Sequence, residues 1–224
     1  MTPFALASAV AVVMAGQSNM AGRGELLLED RAPLTAAVAV VNYRGLKDSR
    51  EPFDVPSSAA GSSLGKSFAL ALLRDDPAVT EVWLVQCAVG GTRVDRWDTE
   101  LTQKCVMLAA GVPRAFAVPV VAVLWAQGEA DCKSAYLTAG YGAHLDSVRA
   151  QFRAAFGDVP FVASELGPIS CAYREDVVAA TRDRVDAMVD AADLPLKADR
   201  LHFNRAALRE LGERFAAALL ELGR

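Results

Sequence analysis

The chain has 224 residues, with 23 Lys and Arg against 27 Asp and Glu, a net charge of −4, and no block of basic side chains. That balance argues against a nucleic-acid partner or an anionic membrane surface, and no apolar run reaches the ~20 residues needed to span a bilayer. At 53% hydrophobic and 22% charged, the composition fits a single α/β domain over residues 1–224, which buries roughly 70% of its unfolded surface and needs no metal or disulfide to fold.

In chain order, residues 1–14 are apolar but lack a basic start, and they run straight into a polar motif. They are expected to form the first core strand, over 7–14, rather than a cleaved leader, which implies a cytoplasmic location. Further Val-rich strands are predicted at 37–42, 81–86, 118–125 and 160–165. Several are apolar at nearly every position, as in strands buried on both faces of a parallel sheet. Helical periodicity lies between and after them, at 62–74, 100–110, 135–156, 174–192 and 206–222. In the last, Leu208, Leu211, Phe215, Leu219 and Leu222 make one apolar stripe. Asp75-Asp76-Pro77 is a stop signal for the first. The alternation predicts a three-layer α/β/α sandwich around a mostly five-stranded parallel sheet with right-handed crossovers. The longest irregular stretch, 43–62, contains Pro52, Pro56 and Gly61; stretches of that length are usually functional or mobile.

The four cysteines, Cys87, Cys105, Cys132 and Cys171, match no zinc or redox spacing. Mostly free thiols in a reducing compartment are expected, and a Cys132–Cys171 bridge stays open because both residues fall in loops at one edge. Cys87 has no neighbouring base and is read as a packing residue rather than a nucleophile.

Three polar motifs follow directly on three strands: Gly16-Gln17-Ser18-Asn19-Met20, Gly90-Gly91-Thr92, and Gln127-Gly128-Glu129-Ala130-Asp131. Ligands of an open α/β sheet bind beyond the carboxyl ends of its strands, so the three clusters should meet at one rim. A fourth piece comes late, Asp199-Arg200-Leu201-His202. His202 is one of only two histidines, and a carboxylate precedes it by three residues. A serine hydroxyl, an imidazole and a carboxylate in line make an activated nucleophile: Ser18 attacks, His202 takes its proton, and Asp199 fixes the ring. The backbone N–H groups of Ser18 and Gly91 and the side-chain amide of Gln127 are candidate donors for the oxyanion that forms.

These motifs, in this order, resemble the sialate O-acetylesterase domain and carbohydrate esterase family six, within the SGNH (GDSL-like) hydrolases. The stretch 61–69 (GSSLGKSFA) resembles the helix start that follows the second strand in that family, and the likeness runs from Ala15 to Asn204. The resemblance implies a flavodoxin-like α/β/α fold, no metal and no other cofactor, and removal of acetyl groups from a glycan or small acetyl ester. It also implies a Gln, here Gln127, where the wider superfamily uses an Asn as oxyanion donor.

Other roles remain open beside these. Ser18 could cap the helix that follows it. Glu129 and Asp131 could brace the loop of Gln127, through Arg23 or Arg93, and Glu129 could assist the imidazole. Gln17, Asn19, Thr92 and Arg93 are candidates for substrate binding or for bracing the site. Trp97 could stack on a sugar ring or close an edge of the core. His144, in a helical pattern, is expected to be an ordinary helix residue.

Overall fold

A computed structural model describes residues 8–53 and 57–223. Ala7, where the first strand was expected to begin, and Pro56, in the irregular stretch, lie outside them. A seven-stranded sheet forms the centre, in the order β3-β2-β4-β1-β5-β6-β7. The strands are β1 (Ala9–Gly16), β2 (Val38–Asn42), β3 (Gly45–Asp48), β4 (Glu81–Gln86), β5 (Val120–Ala126), β6 (Phe161–Ser164) and β7 (Ala187–Val189). All neighbours pair in parallel except β2 and β3, which form an antiparallel hairpin. Helices cover both faces, and the sandwich expected from the sequence is observed.

The period-2 alternation of β1 shows how the two layers divide. Val10, Val12 and Met14 face one core with α2 (Gly65–Asp75) and α7 (Arg205–Leu222). Ala11, Val13 and Ala15 face the other, with Trp97 and with residues of α4 (Thr102–Phe116), α5 (Ala135–Phe156) and α6 (Arg174–Arg182). Both faces of a central strand are therefore dry, which is why its sequence reads as an uninterrupted apolar run.

Four expectations are corrected. Part of the irregular stretch is the edge strand β3, whose four residues are all exposed; such a strand carries no apolar pattern. The helix expected over 174–192 ends at Arg182, and the chain returns to the sheet as β7. Asp186 secures that return: its N–H donates to Phe161 O, and its carboxylate accepts the Phe161 N–H at 2.7 Å. The helix expected from residue 100 starts earlier, with α3 (Val94–Arg96) passing through a π-turn (Trp97–Leu101) into α4. Finally, none of the described cysteines is free, against the mostly free thiols expected: Cys87 pairs with Cys105, which was not foreseen, and the Cys132–Cys171 bridge that the sequence left open forms. The partners are 18 and 39 residues apart in sequence, but the fold brings their Cα atoms to 5.4 and 5.8 Å, a bridgeable distance.

A buried ionic cluster ties the segment after α1 (Ser18–Ala21) to α7. Asp30 is 1% exposed and accepts from Arg205 Nε at 2.8 Å, from Arg209 Nη2 at 2.8 Å and from the Leu27 N–H at 3.0 Å. Desolvation pushes its carboxyl up, but Arg205, the Leu27 N–H and Arg209 outweigh that and hold it well below the usual carboxylate range. Its contribution to stability is therefore present above the unfolded value of about 3.9 and is lost as pH falls from there toward the folded value. Asp30→Ala removes the carboxylate shared by Arg205, Arg209 and the Leu27 N–H. Both guanidinium groups are partly exposed and keep Glu29 and Glu51 as partners, so urea unfolding is expected to show a loss of about 1–3 kcal/mol.

Candidate active site

The carboxyl ends of β1, β4 and β5 meet at one rim, and each delivers a polar loop. Gly16 ends β1 at a φ of 131°, against β5; a Cβ there would lie 2.1 Å from Ala126 O, so only glycine fits. The chain turns immediately into the short helix α1, whose first residue is Ser18. Gln17 is the residue before the helix, and no side chain caps its N-terminus. Capping is thus not the role of Ser18. Its hydroxyl lies instead 3.0 Å from His202 Nε2.

His202 sits in a tight loop closed by Lys197 N–H to His202 O (2.7 Å) and Arg200 N–H to Lys197 O (2.9 Å). Arg200 adopts a left-handed φ of 56°, a conformation that is strained for a residue with a side chain. Asp199 Oδ1 accepts the N–H groups of Leu201 (3.0 Å) and His202 (2.9 Å), and Oδ2 lies 2.8 Å from His202 Nδ1. With the ring proton on Nδ1, the Nε2 lone pair faces the Ser18 hydroxyl. Partial desolvation pushes the Asp199 carboxyl up, but the His202 N–H, the imidazole and the Leu201 N–H outweigh it and hold the carboxyl at about 2. Asp199 is therefore ionised throughout the neutral range.

Two contacts bolt this loop to α1 and to the residues just after it. Asn19 Oδ1 accepts the Phe203 N–H at 3.1 Å, while its Nδ2 donates to Glu129 Oε1 at 2.6 Å and to Leu201 O at 3.4 Å. Lys197 Nζ donates to Arg23 O at 2.8 Å. The serine and the imidazole, 184 residues apart, are thus held by a shared network rather than by their own contact.

Ser18 and His202 open onto a cavity of about 320 Å³ lined also by Gln17, Gly91, Glu129 and Lys133, among others. Gly91 has a φ of +73° and open space around it. Among the described residues its N–H has no acceptor, nor has that of Ser18.

Gln127 departs from expectation. Its Nε2 donates to Thr92 O at 2.9 Å and to the Asp131 carboxylate, with a longer contact to Gln17 Oε1. It does not line the cavity. The reason is electrostatic: Asp131, buried one turn away, takes the amide hydrogens that the oxyanion would need. Gln17 is placed the other way round. Its Oε1 accepts from Gln127 Nε2 (3.3 Å), Gly128 N–H (3.4 Å) and Ala130 N–H (3.3 Å), and no described residue accepts from its Nε2.

The remaining candidates brace the site. Asp131 accepts the Val94 N–H at 3.2 Å, so it ties the Gln127 loop to α3 directly, not through an arginine. Arg93 is exposed and paired with Asp95. Thr92 Oγ1 donates to Val89 O (2.8 Å) and accepts Trp97 Nε1–H (3.0 Å). Trp97 is fully buried, edge-on to Trp125 at 5.3 Å; it closes the core and offers no face to a sugar. His144 is a helix residue paired with Asp98 at 2.9 Å. Glu129 is fully buried, and burial pushes its carboxyl up; its Oε2 has no partner among the described residues. The Cys87–Cys105 and Cys132–Cys171 bridges anchor the loops that follow β4 and β5. One cavity residue escaped the sequence reading, Lys133; its only signal was its place two residues after Asp131.

Comparison with known proteins follows the same lines. A family model described as carbohydrate esterase, sialic acid-specific acetylesterase, matches residues 9–221. A probable carbohydrate esterase of Arabidopsis thaliana is 30% identical over 236 residues, covering 93% of this chain and 89% of its own length. A solved structure from Arabidopsis thaliana superposes with a TM-score of 0.86 at 26% identity, covering 97% of this chain and all of that one. A carbohydrate acetylesterase of Xanthomonas citri shares the fold, with a TM-score of 0.71 at 17% identity over 96% of this chain and 56% of that one.

Proposed function

Because the chain belongs to the sialic acid-specific acetylesterase family of carbohydrate esterases, we propose that it removes acetyl groups from O-acetylated carbohydrates through an acyl-enzyme on Ser18. The observation that carries this reading is the line from Ser18 Oγ through His202 to Asp199, at 3.0 and 2.8 Å. Ser18 Oγ attacks the acetyl carbonyl carbon, and its proton passes to His202 Nε2. The carbonyl electrons move onto oxygen, and the resulting oxyanion is held by N–H donors. On collapse the sugar oxygen leaves with the proton from His202. Water, deprotonated by the same ring, then attacks acetyl-Ser18; as the ester bond breaks, the imidazolium returns its proton to Ser18 Oγ and acetate leaves. Asp199 stays ionised and balances the imidazolium.

The oxyanion donors in this reading are the N–H groups of Ser18 and Gly91, together with the free amide of Gln17 in place of Gln127. Gln17→Glu keeps the oxygen that holds residues 128 and 130 and removes the N–H donors. It is expected to lower kcat on p-nitrophenyl acetate about 10²–10³-fold with KM little changed. An unchanged kcat would return the role to another group.

The cavity lining favours a short acyl group. Gln17, Glu129, Lys133 and His202 surround Ser18, and a long chain would need an apolar groove there. Turnover is expected to fall from p-nitrophenyl acetate through butyrate to octanoate; a rise with chain length would point to a lipase or thioesterase. A carbohydrate-binding protein of the same fold without activity would hydrolyse none of these esters. The motif likeness to carbohydrate esterase family six adds acetylated xylan to acetylated sialic acid as substrates to try. The two disulfides favour work in an oxidising compartment over the cytoplasmic location expected from the N-terminal residues.

A further inference from the structure

The acetyl group is the smaller half of the proposed substrate, and the sugar half also needs a place. Sheet order determines where room exists. Ser18 and its cavity stand above β1 and β5. Beside them, above the carboxyl ends of β2 and β4, opens a second cavity of about 260 Å³, lined by Arg23, Tyr43, Ser57, Gln86 and Gly90, among others. The two cavities share Arg23 and Gly90. A Cβ at position 90 would lie 2.6 Å from Arg23 Nη2 and 3.7 Å from Ser18 Cβ. Glycine at this point leaves room for the guanidinium of Arg23, which lines both cavities.

Resting on the esterase reading above, we propose that this second cavity binds the pyranose ring that carries the ester. A sugar ring has hydroxyls around its edge and C–H bonds on its faces, and the lining offers partners for both. Arg23 and Gln86 are buried polar side chains at 7% and 2% exposure. Gln86 Oε1 accepts the Ala88 N–H at 3.2 Å, which holds the amide at the cavity wall, while its Nε2 makes only long contacts, 3.3 and 3.5 Å, to Ala21 O and Met20 O, so its N–H groups can turn to a ligand hydroxyl. Ser57 adds a hydroxyl. Tyr43 stands at the turn of the β2–β3 hairpin, half-exposed, where its ring can cover the C–H face of a sugar. A simple aliphatic alcohol would gain nothing from this set of donors. The antiparallel hairpin thus has a use: it carries an aromatic side chain to the rim beside the site.

Titration calorimetry with two unacetylated sugars, xylobiose and N-acetylneuraminic acid, tests the proposal without requiring turnover. The proteins are the full chain and its Tyr43→Ala, Ser57→Trp and Tyr136→Ala variants; Tyr136 is a highly exposed tyrosine that lines neither cavity. At least one sugar is expected to bind the unaltered chain. Its dissociation constant should rise about fivefold to tenfold in Tyr43→Ala, as for the loss of an aromatic contact. Binding should vanish in Ser57→Trp, where an indole fills the cavity, and persist in Tyr136→Ala. The ratio of kcat/KM on acetylated xylo-oligosaccharide to that on p-nitrophenyl acetate should fall in parallel. Binding of neither sugar, or equal binding by Tyr43→Ala and Ser57→Trp, overturns the subsite. If ester hydrolysis proceeds without sugar binding, the subsite alone fails. If sugar binds as described and no ester is hydrolysed, the esterase reading fails and the subsite stands.

Discussion

Ser18→Ala is expected to lower kcat on p-nitrophenyl acetate about 10⁶-fold, the loss seen when a serine nucleophile is removed from a comparable triad. The residual rate would come from the cavity and its N–H donors alone. The fold should be untouched. The hydroxyl of Ser18 is hydrogen-bonded to His202 and to no other described residue, and its removal leaves only a small gap. KM should change little, because the hydroxyl contributes to the transition state rather than to substrate binding. Circular dichroism and urea unfolding would confirm an intact protein beside the kinetic loss. A variant that unfolds normally and still turns over at the original rate would remove Ser18 from the chemistry.

Asp199→Asn is expected to lower kcat by up to about 10⁴-fold, for a different reason. The carboxylate keeps the ring proton on Nδ1 and leaves Nε2 as an acceptor. An asparagine amide can instead present its own N–H to Nδ1, which puts the ring proton on Nε2 and leaves nothing to take the serine proton. Asp199 is 42% exposed, so water can partly restore the correct tautomer, and a loss below that maximum is consistent with the role. Because the carboxyl is held at about 2, it remains ionised across the assay range. Its contribution to stability is present above the unfolded value of about 3.9 and is lost as pH falls toward 2. The asparagine variant should therefore lose less stability than the unaltered chain between pH 5 and pH 2, as followed by urea midpoints. A variant with unchanged kcat would show that the ring needs no carboxylate.

The central strands and their rim were legible in the sequence because burial on both faces writes an unbroken apolar run, as in 81–86 and 118–125, with polar motifs directly after. The Asp-x-x-His spacing also carried its own geometry, since three residues in a tight loop suffice to bring Asp199 to Nδ1. What escaped depended on partners distant along the chain. β3 has no buried face, and β7 exists because Asp186 pairs with Phe161 at the sheet edge, overriding a helical pattern. Cys87–Cys105 joins a loop to α4, which spacing does not encode, whereas Cys132–Cys171 joins two loops at one edge and was left open by the sequence. Gln127 and Gln17 are the same residue type beside the same rim. Only the position of Asp131 decides that the first is tied down while the second keeps a free amide. Trp97, as plausible on a sugar as in the core, is placed in the core by Thr92 and Trp125.

The central claim is that the hydroxyl of residue 18 is the atom that becomes acylated. Its most direct test is incubation with a fluorophosphonate, followed by peptide mass mapping. One phosphonyl group is expected on the peptide containing Ser18, with hydrolysis lost in proportion to labelling, and no label on Ser18→Ala. Labelling at another residue, or full hydrolysis of p-nitrophenyl acetate with no label on Ser18, would contradict the account.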